Sequence, residues 1–150
     1  MAAKQQNIWN CLKLDGFNVE IPFSMSKTTM IGYLREKNIP LCMPTETQVG
    51  VKSKILSLDI VFTIAFQFCG ERLVAITMSP DTTDNDLYSR YNEIQKALER
   101  ELGHPRRGLR SIMNLLVPDS RLESWRANGV RIEHYLLNRF GMEEIIDIKR

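Results

Sequence analysis

Apolar and polar side chains alternate most regularly between residues 56 and 68. The even-numbered positions of this stretch are all apolar: Leu56, Leu58, Ile60, Phe62, Ile64, Phe66 and Phe68. A period of two is typical of a β-strand that buries one face. Gly70 and then a second β-rich run at 72–78 follow, and a Gly at such a junction supplies the positive φ that a tight hairpin requires. The pattern predicts two paired antiparallel strands, 55–69 and 71–78.

A helical period replaces this alternation after residue 83. One stripe at three- and four-residue steps contains Leu87, Tyr91, Ile94, Leu98 and Leu102. Thr83 or Asp84 is suited to cap the start of this helix, and Gly103, followed by Pro105, is suited to end it. We therefore expect a helix that ends near Leu102 and packs this stripe against the core.

Shorter patterns predict the remaining elements. A helix is expected from Ser26 to about residue 37, and Pro40 prevents its continuation. Alternation at 17–21 indicates a short edge strand. Two further runs, 130–137 and 145–148, predict a closing hairpin.

The two halves of the chain show a similar order of elements. A shift of 72 residues aligns Ile60, Phe68, Leu73, Val74 and Ile76 with Ile132, Phe140, Ile145, Ile146 and Ile148. The order helix, hairpin, helix, hairpin predicts an α+β fold, in which an antiparallel sheet carries two main helices on one face. It also raises the possibility of a helix–hairpin pseudo-repeat. A length of 150 residues suits a single globular domain spanning 1–150.

Composition and charge narrow the class of protein. The chain is 43% hydrophobic and 25% charged, which is ordinary for a globular protein. Its net charge of +2 does not by itself indicate nucleic acid or an anionic membrane as a partner. The first residues contain no apolar core of a secretory signal, and three widely spaced cysteines favour free thiols. We expect a cytoplasmic protein without a membrane span.

Motifs for catalysis and cofactor binding are missing from the sequence. It contains no Gly-rich phosphate loop, no H-E-x-x-H and no dinucleotide fingerprint. His104 lies in the loop that ends the long helix and His134 in a predicted strand, and neither has a nucleophile beside it. The acidic run Asp81, Asp84 and Asp86 lacks the turn Gly and the bidentate Glu of a calcium loop. The sequence therefore predicts neither an enzyme nor a cofactor or metal site.

Arginine residues cluster in the second half. They are Arg106, Arg107, Arg110, Arg121, Arg126 and Arg131, with Trp125 among them. Arginine with interleaved aromatics is typical of single-stranded nucleic-acid binding. Residues 81–150 nevertheless carry twelve basic and twelve acidic side chains, so a solvated face with local ion pairs explains the same residues.

The layout of the second half resembles small bacterial immunity proteins. It consists of Tyr88, Tyr91, Ile94, Leu98, Leu102-Gly103-x-Pro105, Trp125, Ile132-x-His134-Tyr135-Leu136 and a final Ile-rich strand. Such proteins neutralise polymorphic toxins, including those of contact-dependent growth inhibition, and in them a helix ending in Gly-x-Pro, a lone Trp and a closing hairpin recur in compact α+β domains. The resemblance implies a protein that binds a cognate toxin domain. Members are often acidic, and this chain differs in its net charge of +2.

Two main functional hypotheses remain open. The first is an immunity protein that occludes a toxin domain, with Asp81, Asp84, Asp86, Glu143 and Glu144 as exposed residues able to meet a basic catalytic cleft. The second is an RNA-binding module that uses the region between Arg106 and Arg131. An enzyme is the third and least favoured hypothesis, because the sequence shows no catalytic constellation.

Overall fold

The computed structural model describes residues 8–81, 86–106, 120–138 and 142–150. In these ranges the chain forms nine strands and two helices. The first part contains β1 (Cys11–Leu14), β2 (Val19–Pro22), α1 (Lys27–Glu36), β3 (Leu41–Cys42), β4 (Gln48–Lys54), β5 (Val61–Cys69) and β6 (Arg72–Pro80). The second part contains α2 (Leu87–Leu102), β7 (Arg121–Ala127), β8 (Val130–Asn138) and β9 (Met142–Lys149).

Seven of the described strands form one sheet in the order β3-β4-β5-β6-β9-β8-β7, and all neighbours are antiparallel. β1 and β2 pair separately as a hairpin. The predicted α+β class with an antiparallel sheet is thus confirmed. In the centre of the sheet β6 pairs with β9, which joins the two halves of the chain through opposed Ile76 and Ile148.

The even-numbered face of β5 lies in the core, as predicted. Phe62, Ile64 and Phe66 are fully buried, and Phe68 is 2% exposed. The predicted strand was too long, however, because residues 55–60 form a turn. Leu56 and Ser57 have positive φ values, and the Ser57 N–H donates to the Asp15 carboxylate. Leu56, Leu58 and Ile60 are buried even though they lie in this turn. The sequence therefore alternates between apolar and polar residues there without forming a strand.

Both predicted helices are present, and each has a side-chain cap. The Ser26 hydroxyl accepts a hydrogen bond from the Thr29 N–H at the start of α1. Asp86 does the same for the Ser89 N–H of α2, at 3.0 Å, so Asp86 is the cap rather than Thr83 or Asp84. Gly103 ends α2 with φ 79, as its position predicts. Thr83 and Asp84 lie outside the described residues.

Four strands were not predicted: β1, β3, β4 and β7. The sequence of β4, QVGVKSK, contains Gly, Ser and two Lys residues that weaken its β signal. The β7 sequence RLESWRA contains four charged or polar side chains on a strand at the sheet edge. The Trp125 indole N–H donates to the Gly103 carbonyl at 2.9 Å and ties β7 to the end of α2.

Within the described ranges, neither helix has the length and apolarity needed to cross a bilayer.

Candidate functional site

The structure separates the acidic residues that the sequence suggested for partner binding. Asp81 follows β6, is exposed, and forms an ion pair with Lys52 at 2.7 Å. Its backbone N–H donates to the Val61 carbonyl. Asp86 is also exposed and caps α2. Asp84 lies outside the described residues. Asp81 and Asp86 thus flank the β6–α2 connection, with their carboxylates already engaged.

Glu143 and Glu144 are neighbours in β9 and behave differently. Glu143 is exposed, as expected. Glu144 is 4% exposed and lies in the core between β9 and α2, so the expectation that it is a surface residue is wrong. The physical reason is the strand itself: successive side chains point to opposite faces, so one of two adjacent glutamates must face inward.

The inward Glu144 is the centre of a buried polar cluster. The Arg90 Nε–H donates to Glu144 Oε2 at 2.9 Å, and His134 Nε2 lies 2.8 Å from Glu144 Oε1. His134 Nδ1 lies 2.7 Å from Oε1 of Gln95. The Tyr91 ring stacks on the imidazole with ring centroids 4.0 Å apart and an interplanar angle of 13°. α2 supplies Arg90, Tyr91 and Gln95, and the strands supply His134 and Glu144.

Burial controls the electrostatics of this cluster. It lowers the pKa of His134, because a buried imidazolium loses its hydration, and the hydrogen bond from Nε2 to Glu144 opposes this only in part. Glu144 already forms an ion pair with Arg90, which limits its ability to stabilise a protonated His134. Burial also raises the pKa of Tyr91, with nearby carboxylates, Glu123 first, acting in the same direction. Nδ1 faces Oε1 of Gln95, whose NH₂ donates to Glu99 at 2.9 Å, and Nε2 faces Glu144, so a neutral imidazole donates to only one of these two oxygens at a time.

This cluster is suited to positioning α2 rather than to reaction with a substrate. The side chains of His134 and Glu144 have no exposed surface, and that of Arg90 is 8% exposed. A buried, hydrogen-bonded ion pair fixes one arrangement of the elements that carry it. His134 lies in a strand, as predicted, and is fully buried there.

A second group of charges lies on the other face of the same strands. Cross-strand pairing sets Arg126 of β7 opposite Arg131 of β8, and Arg131 opposite Lys149 of β9. We call these three residues the basic row. Directly opposed residues of an antiparallel pair lie on one face, so the row brings three positive charges side by side. Sequence reasoning named Arg126 and Arg131 but missed Lys149, whose place in the row depends on sheet order.

Two buried carboxylates hold part of the basic row in place. The Arg131 guanidinium donates to Glu133 at 2.5 Å, and Lys149 Nζ lies 3.6 Å from the other oxygen of Glu133. Lys149 also lies 3.8 Å from Asp147, which accepts hydrogen bonds from Thr77 and Tyr135. Arg126 is exposed, and no described carboxylate pairs with it. Arg121 begins β7 and does not join the row, and the Arg106 N–H donates to the Ser124 carbonyl at 2.9 Å. Arg107 and Arg110 lie outside the described residues.

The residues that the structure describes contain no group of three or more His, Cys, Asp or Glu side chains arranged to hold a metal ion. Cys11, Cys42 and Cys69 are not joined in disulfides. Comparison of the chain with protein-family models, with curated proteins and with solved structures gives no match.

Proposed function

We propose that this protein is a cytoplasmic immunity protein that binds a toxin domain and neutralises it by occlusion. The observation that carries the proposal is the anchoring of exposed carboxylates at the β6–α2 connection. Asp81 is held by Lys52 and by backbone pairing to Val61, and Asp86 is held by the first turn of α2. Side chains that are already ordered lose less conformational entropy when they bind a partner.

The charge of these exposed residues is complementary to a basic catalytic cleft. Asp81, Asp86 and Glu143 are each exposed, and each presents a carboxylate to the Lys and Arg side chains around a basic catalytic cleft. Rim charges of this kind mainly accelerate association and exclude wrong partners. Occlusion requires neither a catalytic group nor a cofactor, so the inhibitor needs only a stable surface of the right shape and charge.

We extend the proposal to the way in which the two helices lie on the sheet. We take α1 and α2 to cover one face of the sheet, as two copies of a helix–hairpin unit. Two observations support this: Met30 of α1 and Ile94 of α2 belong to one hydrophobic cluster with Phe62, and the strand order β4-β5-β6 is followed by β9-β8-β7. Such a scaffold would leave the opposite face of the sheet available for recognition.

RNA binding through the region between Arg106 and Arg131 remains the second candidate function. The observation that favours it is the cross-strand pairing of Arg126 with Arg131. Since acidic and basic residues balance in this half of the chain, we expect weak, salt-sensitive binding of about 10⁻⁴–10⁻⁶ M. Tight and sequence-selective RNA binding at physiological salt would favour this candidate over the immunity protein.

Co-expression with the toxin encoded beside this gene tests the immunity function. The wild-type chain should protect cells, and removing three exposed negative charges should weaken protection. The variant is Asp81→Asn, Asp86→Asn and Glu143→Gln, in which Asn preserves the cap of α2. The control removes the same charge from exposed residues elsewhere: Glu20→Gln, Glu36→Gln and Glu93→Gln.

Equal loss of protection in both variants would show that Asp81, Asp86 and Glu143 do not contact the toxin. Failure of the wild-type chain to protect, although it is expressed and folded, would overturn the immunity function itself.

A further inference from the structure

The basic row opens onto a groove that the proposed toxin contact does not use. One part of the groove, about 390 Å³, is lined by residues that include Arg72, Asn128, Gly129 and Arg150. An adjoining part, about 280 Å³, is lined by Arg126, Gly129, Arg131, Lys149 and Arg150. Gly129 and Arg150 line both cavities, so the two lie next to each other, and we call them together the basic groove.

The backbone around this groove is firmly placed. Asn128 and Gly129 form the two-residue turn between β7 and β8, with φ values of 51 and 76, as a hairpin turn of this length requires. The Arg150 N–H donates to the Val74 carbonyl at 3.2 Å, and its guanidinium donates to the Phe23 carbonyl. Arg126, Arg131 and Lys149 therefore project from paired strands beside a tight turn.

The groove carries a local surplus of positive charge. Five cationic side chains line it: Arg72, Arg126, Arg131, Lys149 and Arg150. Among the described side chains, the carboxylates paired with them are Glu133 and Asp147, so five cationic side chains face two paired carboxylates. Like charges placed directly opposite one another across strands are destabilising, so this arrangement has an energetic cost in the free protein. A bound polyanion would relieve that cost.

We infer that the basic groove binds phosphate groups. Guanidinium groups present paired N–H donors that match phosphate oxygens, and Lys149 adds a mobile ammonium beside them. The aromatic side chain of the lining is Phe23, which is 3% exposed and presents no surface for base stacking. The recognised unit is thus the phosphate itself, carried by a compact polyphosphate or by a nucleic-acid backbone.

Titration with inorganic pyrophosphate, followed by amide NMR and calorimetry, tests this site. We expect a dissociation constant of about 1 mM or tighter, weakening as salt is added, with the largest shifts at the Gly129 N–H and its neighbours. Arg126→Gln should weaken binding roughly tenfold or more, because it removes a charged donor from an exposed and unpaired position. Arg35→Gln, the same change at an exposed position on α1, should leave the affinity unchanged.

A parallel titration with a single-stranded oligoribonucleotide identifies the source of the phosphate. Tighter binding of pyrophosphate supports a compact ligand, and tighter binding of RNA, lost in Arg126→Gln, supports a nucleic-acid backbone at the same groove. The inference is overturned if neither ligand shifts the Gly129 N–H, or if Arg35→Gln weakens binding as much as Arg126→Gln does. It stands independently of the immunity function, since it uses no toxin.

Discussion

His134 and Glu144 face each other across β8 and β9, with 2.8 Å between Nε2 and the carboxylate oxygen, in a part of the core that solvent does not reach. The same carboxylate holds Arg90 from the first turns of α2. One glutamate therefore links a helix to two strands. Charged groups are rarely buried unless they are paired, and this pairing connects the helix that follows Asp86 to the sheet.

Stability should fall as the pH decreases through the range where histidine titrates. Burial lowers the pKa of His134 in the folded chain, whereas an unfolded histidine titrates near about 6.5. Below that pH the unfolded state binds a proton that the folded state does not bind. The free energy of the unfolded state therefore falls relative to that of the folded state. We expect urea unfolding free energies to be highest above about pH 6.5 and to decrease at up to about 1.4 kcal/mol per pH unit below it.

His134→Gln isolates this effect. Its unfolding free energy should be lower than that of the parent at neutral pH, and its slope between about pH 6.5 and pH 5 should be smaller. A parent protein whose stability is constant or rises on acidification over this interval, relative to His134→Gln, would show that His134 is protonated in the folded state.

Adjacent glutamates in β9 provide a matched test of the buried cluster. Glu144→Ala should destabilise the protein by about 3–5 kcal/mol, because it leaves the buried Arg90 guanidinium without its carboxylate. Glu143→Ala, on the exposed side of the same strand, should change the unfolding free energy by no more than about 0.5 kcal/mol. Chemical denaturation measures both, and equal effects would contradict the alternation of β9.

Neighbouring residues of β5 test the core in the same way. Phe62 is fully buried, and its truncation to Ala should cost about 3–5 kcal/mol. Val61→Ala, at a side chain with 37% exposure, should have a small effect. If the unfolding transition of Phe62→Ala coincides with that of the parent, the face assigned to the core is wrong.

Substitutions at Asp86, the cap of α2, distinguish the effect of its charge from the effect of its hydrogen bond. Asp86→Ala removes the acceptor for the Ser89 N–H and should cost about 1 kcal/mol. Asp86→Asn keeps an acceptor and should cost much less. Thermal unfolding of the two variants measures the difference, and an Asn variant as unstable as the Ala variant would show that the negative charge, rather than the hydrogen bond, carries the effect.

Sequence patterns predicted those elements whose burial is periodic. The stripe of α2 and the alternation in β5 both lie in the core, and Gly70 and Gly103 occupy the positive-φ positions where chain direction changes. The turn at residues 55–60 misled the prediction, since its apolar side chains are also buried and only the backbone at Leu56 and Ser57 distinguishes it from a strand.

The charged sites depended on sheet order, which local patterns do not contain. Lys149 joins Arg126 and Arg131 because β9 lies next to β8, and Glu144 is buried because α2 lies over that face. The adjacent acidic pair Glu143 and Glu144 offered one available signal: strand alternation requires one of the two to face inward, and the nearby His134 and Arg90 were possible partners.

Inhibition of the purified toxin by this protein tests the immunity function most directly. The rate of the toxin reaction should fall as the protein is added and should reach its minimum at about one equivalent, with substrate competing for the same cleft, as tight occlusion predicts. Asp81→Asn with Asp86→Asn and Glu143→Gln should slow the onset of inhibition, whereas the control Glu20→Gln, Glu36→Gln and Glu93→Gln should not. An unchanged rate in the presence of excess folded protein would contradict the proposed function.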